Sequence, residues 1–487
     1  MKIGFNNEKY LKIQSEHIKE RISQFGDKLY LEFGGKLFDD FHASRVLPGF
    51  EPDSKLKMLM QLKDDAEIII VISAKDIEKN KIRGDLGITY DVDVLRLREV
   101  FISRGLIVGS VVITHFNGQS SAIAYRKRLE RMGIKVYYHY TIEGYPTNVE
   151  LIDSEEGFGK NDYVATSRPL VVITAPGPGS GKMAVCLSQL YHDHQRGIKA
   201  GYAKFETFPI WSIPLKHPIN LAYEAATADL NDINMIDPFH LEAYGKTTVN
   251  YNRDIEIFPV LNAIFEGIYG KNPYKSPTDM GVNMAGFCIS DDAVCCKASN
   301  DEIIRRYYTS LCNFADGKST ENEINKIALL MKQAKISTDD RKTTLAAKEK
   351  QEQTGVHAAA IELNDGTIIT AKTSELLGPS AALLLNATKH LAGIDHNLKL
   401  IPQNMIEPIQ QTKVTYLHGN NPRLHTDEVL VALSILSLHD PNCKKALSCL
   451  PLLKGCQIHT TVMLSEVDQK IFKKLGIGLT SEPVKKG

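Results

Sequence analysis

Apolar and polar positions alternate between two periods along the first two hundred residues. Short apolar runs at Leu29 to Phe33, Glu67 to Ser73, Ser110 to Thr114, Lys135 to Tyr140 and Pro169 to Thr174 read as strands. An opening helix pattern runs through about Gln24. Between the third and fourth strands, Gln119 to Met132 carries Ile123, Leu129 and Met132 against an outward set of Arg126, Lys127, Arg128 and Arg131, and Gly133 is placed as its stop. Ala200 to Ala203 is a further short strand. Strand, helix, strand alternation predicts an α/β fold in which helices cover a mainly parallel sheet.

The pattern then changes. From His217 to about Thr354 polar turns mix with helical stretches such as Glu302 to Phe314 and Glu321 to Ala334, which predicts a mostly helical middle domain. Ser337 to Gln353 is charged and free of glycine and proline, so it reads as an exposed helix or a connector. Beyond it, His357 to Leu363 and Thr367 to Ala371 flank an Asn-Asp-Gly turn as a hairpin. Helices follow at Ala381 to Leu391 and at Val429 to Leu438, the latter with Thr426 as its cap. Expected domains are therefore 1–215, 216–354 and a smaller C-terminal α/β domain, 355–487.

Composition narrows the classes. A chain of 487 residues with 43% hydrophobic and 24% charged residues has material for several ordinary cores. Lysine plus arginine equals aspartate plus glutamate at 58 each, which removes the electrostatic case for a dedicated nucleic-acid binder. No apolar run reaches the roughly 18 residues of a membrane helix, and the polar start carries no signal core, so a cytoplasmic protein is expected. Eight scattered cysteines predict reduced, mostly buried thiols; a strained disulfide between adjacent Cys295 and Cys296 is the weaker alternative. His192 and His194, about 200° apart around a helix, do not readily share a metal.

The main chemical signal is a P-loop-like turn. Val171 to Thr174 is a strand, Ala175-Pro176-Gly177-Pro178-Gly179-Ser180-Gly181-Lys182 follows, and a helix opens with Met183, Leu187, Leu190, Tyr191 and His194 on one face. Gly177, Gly179 and Gly181 let backbone amides turn inward, Ser180 offers a hydroxyl, the helix start adds partial positive charge and Lys182 adds a full one. Proline stands at the first glycine position of a Walker A loop, and Met183 replaces its magnesium-binding serine or threonine. No strand ends in a Walker B aspartate, which leaves a metal to another carboxylate or Ser180. The alternative is a tight structural turn.

A second cluster follows the first strand. Gly34 and Gly35 permit close approach to the backbone; Lys36 and Arg45 suit an anion; Asp39, Asp40 and His42 suit acid, base or metal work. Loops at the carboxyl ends of parallel strands share one edge, so the two clusters are expected to converge. The polar run Tyr223 to Gly245, with Asn250, Asn252, Arg253 and Asp254, reads as a substrate cleft or as a network satisfying backbone groups. Arg423, His425, Asp427 and Glu428 sit at a helix entrance, available for catalysis or a subunit contact.

Through Leu31 to Lys55, Pro176 to Met183, His217 to Gly245, Asn250 to Leu261, Tyr274 to Phe287 and Asn421 to Ile435, essentially the whole chain resembles a bacterial family of this length described as a domain of unknown function. Some members carry an ATP-dependent peptidase label. The residues here supply neither His-Glu-x-x-His nor a Gly-x-Ser-x-Gly elbow, so only the ATP half has local support. The expected function is binding of a phosphorylated small molecule, with ATP or another nucleotide and magnesium as the cofactor class and phosphate-group chemistry as the reaction. A non-catalytic phosphometabolite sensor and an oligomeric scaffold are the alternatives, and a homo-oligomer is expected.

Overall fold

The computed structural model describes residues 2–26, 28–35, 37–38, 40–84 and 86–485. It divides into two compact units. One comprises Ile3–Glu224 with Asn231–Ala298; the other comprises Ser299–Gly487 with Ala225–Leu230 and Met1–Lys2. No helix among the described residues is long and apolar enough to cross a membrane.

The first unit is built on seven parallel strands: β1 (Lys28–Phe33), β2 (Ala66–Ser73), β3 (Ile107–Phe116), β4 (Val136–Tyr140), β5 (Leu170–Thr174), β6 (Ala200–Phe205) and the short β7 (Gly281–Val282). Their order is β7-β6-β1-β5-β2-β3-β4. From β2 the chain steps outward to β3 and β4, whereas from β5 it crosses back over β1 to β6. The connections diverge between β5 and β2, the type of switch point at which open α/β sheets form a crevice beyond their carboxyl ends.

β1, β2, β5 and β6 are buried along their whole length, which explains their continuous apolar runs. The helix α1 (Asn7–Phe25) is capped by Asn6, whose side chain accepts from the amide of Lys9 at 2.9 Å. The helix Lys182–Gln195 follows β5. It is buried around most of its girth between Val185 and Asp193, so its core face is broader than the stripe expected from sequence, and His194 is exposed. Asp193 anchors it, accepting from the Tyr30 hydroxyl at 2.7 Å and the Tyr163 hydroxyl at 2.9 Å. The helix Asn252–Tyr269 adds Phe258, Leu261, Ile264 and Phe265 to the same core.

The second unit contains a separate four-stranded sheet of β8 (Ala358–Glu362), β9 (Ile368–Lys372), β10 (Gln457–Thr460) and β11 (Gly478–Ser481), ordered β9-β8-β10-β11. β8 and β9 are the antiparallel hairpin read around Gly366, whose φ of 89° needs glycine. The charged stretch after Ser337 is a helix, Lys342–Thr354. In the helix Thr426–Leu436 the cap is His425 and not Thr426; the Thr426 hydroxyl is turned to Asp468 instead, at 2.8 Å.

Candidate functional site

β5 ends at Thr174 and the chain turns through Gly177 to Gly181 before entering its helix at Lys182. Gly179 and Gly181 have φ of 73° and 83°, a region costly for side-chain-bearing residues. Gly177 is required for a different reason: a Cβ there would lie 2.2 Å from the Tyr90 hydroxyl. On the β2 and β3 side, the Thr114 hydroxyl donates to the Ser180 carbonyl at 2.6 Å, and His115, itself at φ 51°, pairs through Nδ1 with the Ser73 hydroxyl at 3.2 Å. The loop is therefore braced at the switch point.

What the loop leaves open matters more. No side chain among the described residues caps the helix at Gly181. The Ser180 hydroxyl is buried with no hydrogen-bond partner among the described residues. Among those residues Lys182 has neither an ion pair nor a hydrogen bond. Burial pushes its ammonium below the ordinary lysine range; Glu32 opposes the shift and Lys204 adds to it. A desolvated cation without an ion pair is expensive unless an anion joins it.

Glu32 is the penultimate residue of β1, the strand beside β5, in register with Ile173 on one side and Lys204 on the other. It is an acid near the end of the strand neighbouring the glycine loop, in a position where the Walker pattern places an aspartate on a different strand. The Tyr202 hydroxyl donates to Glu32 at 2.7 Å. Beside it, the Lys204 ammonium contacts Glu206 at 2.9 Å and donates to Asp254 and the Tyr251 hydroxyl. The Tyr251 hydroxyl in turn donates to Glu206 at 3.0 Å. Burial alone would lower Lys204, but Asp254 and Glu206 outweigh it and hold the ammonium above its usual range. Glu206 is pushed up by burial and by Asp254 against the pull of Lys204.

Lys204 is a single charge within the short apolar strand β6, and Glu206 directly follows the strand's end at Phe205, so neither stands out in the sequence as a site residue. The available signal is their i, i+2 spacing, which in extended chain brings two side chains to the same side.

The second glycine loop leaves β1 beside the first. The Gly34 amide donates to the Phe205 carbonyl at 2.9 Å, and a Cβ on Gly34 would lie 2.8 Å from that oxygen. Gly35 adopts φ 70°. Asp40 caps the helix Phe41–Val46 by accepting from the Ala43 amide at 3.1 Å, and pairs with Lys55 at 2.8 Å. Burial works against its charge, yet Lys55 and the cap hold it ionised. His42 meets the Phe208 ring edge-on at 5.1 Å between centroids, and Arg45 lies in the last turn of that helix. Lys36 and Asp39 lie outside the described residues.

Residues 3–335 match the family model described as Domain of unknown function DUF1846, N-terminal, and residues 339–486 match its C-terminal counterpart. The chain belongs to the DUF1846 family. Among its relatives, a UPF0371 protein of Corynebacterium urealyticum is 57% identical over 482 residues, covering 99% of this chain and 97% of its own. A UPF0371 protein of Streptococcus uberis is 56% identical over 483 residues, covering 99% and 98%. The resemblance read from the glycine loop and the polar segments is thus a full-length one, and both DUF1846 models fall on the segments that carried it.

Proposed function

We propose that this protein binds the phosphate of a nucleotide or other phosphorylated small molecule at the loop Gly177–Lys182. The observation that carries the reading is the unpartnered, desolvated Lys182 at the start of an uncapped helix, beside the unpartnered Ser180 hydroxyl. Loop amides and the helix start would grip the phosphate, with Lys182 as its counter-charge. Glu32 and Ser180 are the groups available to a magnesium ion held with the ligand.

For phosphate-group chemistry, Glu206 is the strongest proton carrier, because burial keeps it from ionising at the usual carboxylate pH. Asp40 and His42, on the neighbouring loop, are the second pair in this proposal. A non-catalytic sensor is the rival reading, and two observations favour it: Met183 supplies no metal-binding hydroxyl, and Asp40 is engaged by Lys55.

A thermal-shift screen against nucleotides, sugar phosphates and inorganic phosphate, with and without magnesium, tests the binding claim. A ligand at a hundred times its Kd adds about 2.7 kcal/mol of stability, and Lys182→Ala is expected to lose that gain. Equal stabilisation of both proteins, or of neither by every class, would sink the reading. Turnover of the stabilising ligand then separates enzyme from sensor.

A further inference from the structure

In the same unit, on residues that the phosphate reading does not use, we propose that His217, Asp292 and Cys296 form a binding site for a thiophilic divalent cation, with zinc as the best match. The three ligands come from two segments. Asp292 opens the helix Asp292–Ala315, Cys296 lies one turn further along the same face, and His217 immediately precedes the helix Pro218–Ala226. One ligand atom from each lies within 4.8 Å of the other two.

The sulfur to nitrogen separation matches an edge of a tetrahedron, while the sulfur and the nitrogen each meet a different oxygen of Asp292, so the carboxylate must turn to present one of them to both. Zinc bonds of about 2.3 Å to sulfur, 2.0 Å to nitrogen and 2.1 Å to oxygen set edges of roughly 3.5 Å between sulfur and nitrogen, 3.6 Å between sulfur and oxygen, and 3.4 Å between nitrogen and oxygen. Cys296 Sγ is 3.5 Å from His217 Nε2 and 3.6 Å from Asp292 Oδ2, and His217 Nε2 is 3.1 Å from Asp292 Oδ1. A cation can enter with small side-chain adjustments.

The ligand chemistry selects among metals. One thiol, one imidazole and one carboxylate form a borderline-soft set that suits zinc and disfavours magnesium or calcium, which take oxygen ligands. Asp292 has a 61% exposed side chain, so the fourth position faces solvent and would hold water. Adjacent Cys295 takes no part: it is buried, with its thiol on the Gly4 carbonyl at 3.3 Å.

One interaction opposes the site. The Ile219 amide donates to His217 Nδ1 at 3.3 Å, so the metal-free imidazole carries its proton on Nε2, directed at Asp292. A metal on Nε2 leaves the imidazole proton on Nδ1, where it faces the Ile219 amide donor, so the long hydrogen bond is lost and the ring must turn to separate the two donors. Such a bond is a small term against three metal-ligand bonds.

The test is a cobalt titration of the full-length protein after chelator treatment. One equivalent of Co(II) is expected to produce the intense visible bands of a tetrahedral site with a thiolate-to-cobalt charge-transfer band, and one equivalent of zinc should remove both. Cys296→Ser should abolish the charge-transfer band, His217→Ala should weaken zinc at least tenfold, and Cys443→Ser should change neither. Absence of the bands in the parent protein overturns the proposal, as does a charge-transfer band that survives in Cys296→Ser. The decisive spectrum is that of the parent, so it does not depend on a variant folding.

Discussion

Two helix entrances, one in each unit, meet the same problem in opposite ways. At Thr426 the protein supplies its own anions. Asp468 accepts from the Thr426 amide at 2.9 Å, the Thr426 hydroxyl at 2.8 Å, His425 at 3.0 Å and the Ser465 hydroxyl at 3.0 Å, while Glu428 accepts from the His425 amide at 2.7 Å. At Lys182 no side chain among the described residues caps the helix, and its first residue is itself a cation. A helix start closed by internal carboxylates is a structural joint. One left with glycines, a bare hydroxyl and an unpartnered lysine is ready for an anion from outside.

The largest expected effect sharpens this contrast within the first unit. Lys204→Ala strands Glu206 and Asp254 in a buried place, and breaking such a pair costs about 3 to 5 kcal/mol. Lys182→Ala removes a cation that has no partner, so urea unfolding of the ligand-free protein should stay within about 1 kcal/mol of the parent. A Lys182→Ala loss as large as that of Lys204→Ala would mean that Lys182 is a structural charge.

The C-terminal entrance comes next. Burial works to raise Asp468, but hydrogen bonds from His425 and Thr426 outweigh it and hold the carboxyl at about 2. Its folded value lies below the ordinary value of about 3.9, so its stabilisation is present above pH 4 and is lost as pH falls towards 2. Asp468→Asn should cost about 2 kcal/mol at pH 7 and flatten the acid limb of the stability profile. An unchanged acid limb would show that the joint does not depend on that charge. Gly181→Ala should cost less than Lys204→Ala, at about 1 to 2 kcal/mol for a side chain at positive φ. Its effect on ligand affinity should be the greater one, read by comparing urea midpoints with and without ligand.

The parallel sheet was legible because fully buried strands leave unbroken apolar runs, and Val171 to Thr174 followed by three spaced glycines marked both a strand end and a helix start. β7 escaped because two residues, Gly281 and Val282, carry no periodicity. The cap at Thr426 was misplaced by one residue since either side chain can serve; only the position of Asp468, 42 residues away, decides. Glu32 and Lys204 are separated by 172 positions and meet only through the register of β1 and β6, and the His217, Asp292, Cys296 set likewise depends on a tertiary approach.

The most direct test of the open entrance is phosphorus NMR of a phosphate ligand taken from the thermal screen, titrated with the parent protein and with Lys182→Ala. The account predicts saturable broadening or a shifted bound resonance with the parent, and a free-ligand spectrum with the variant. A bound resonance of equal strength with Lys182→Ala would contradict it.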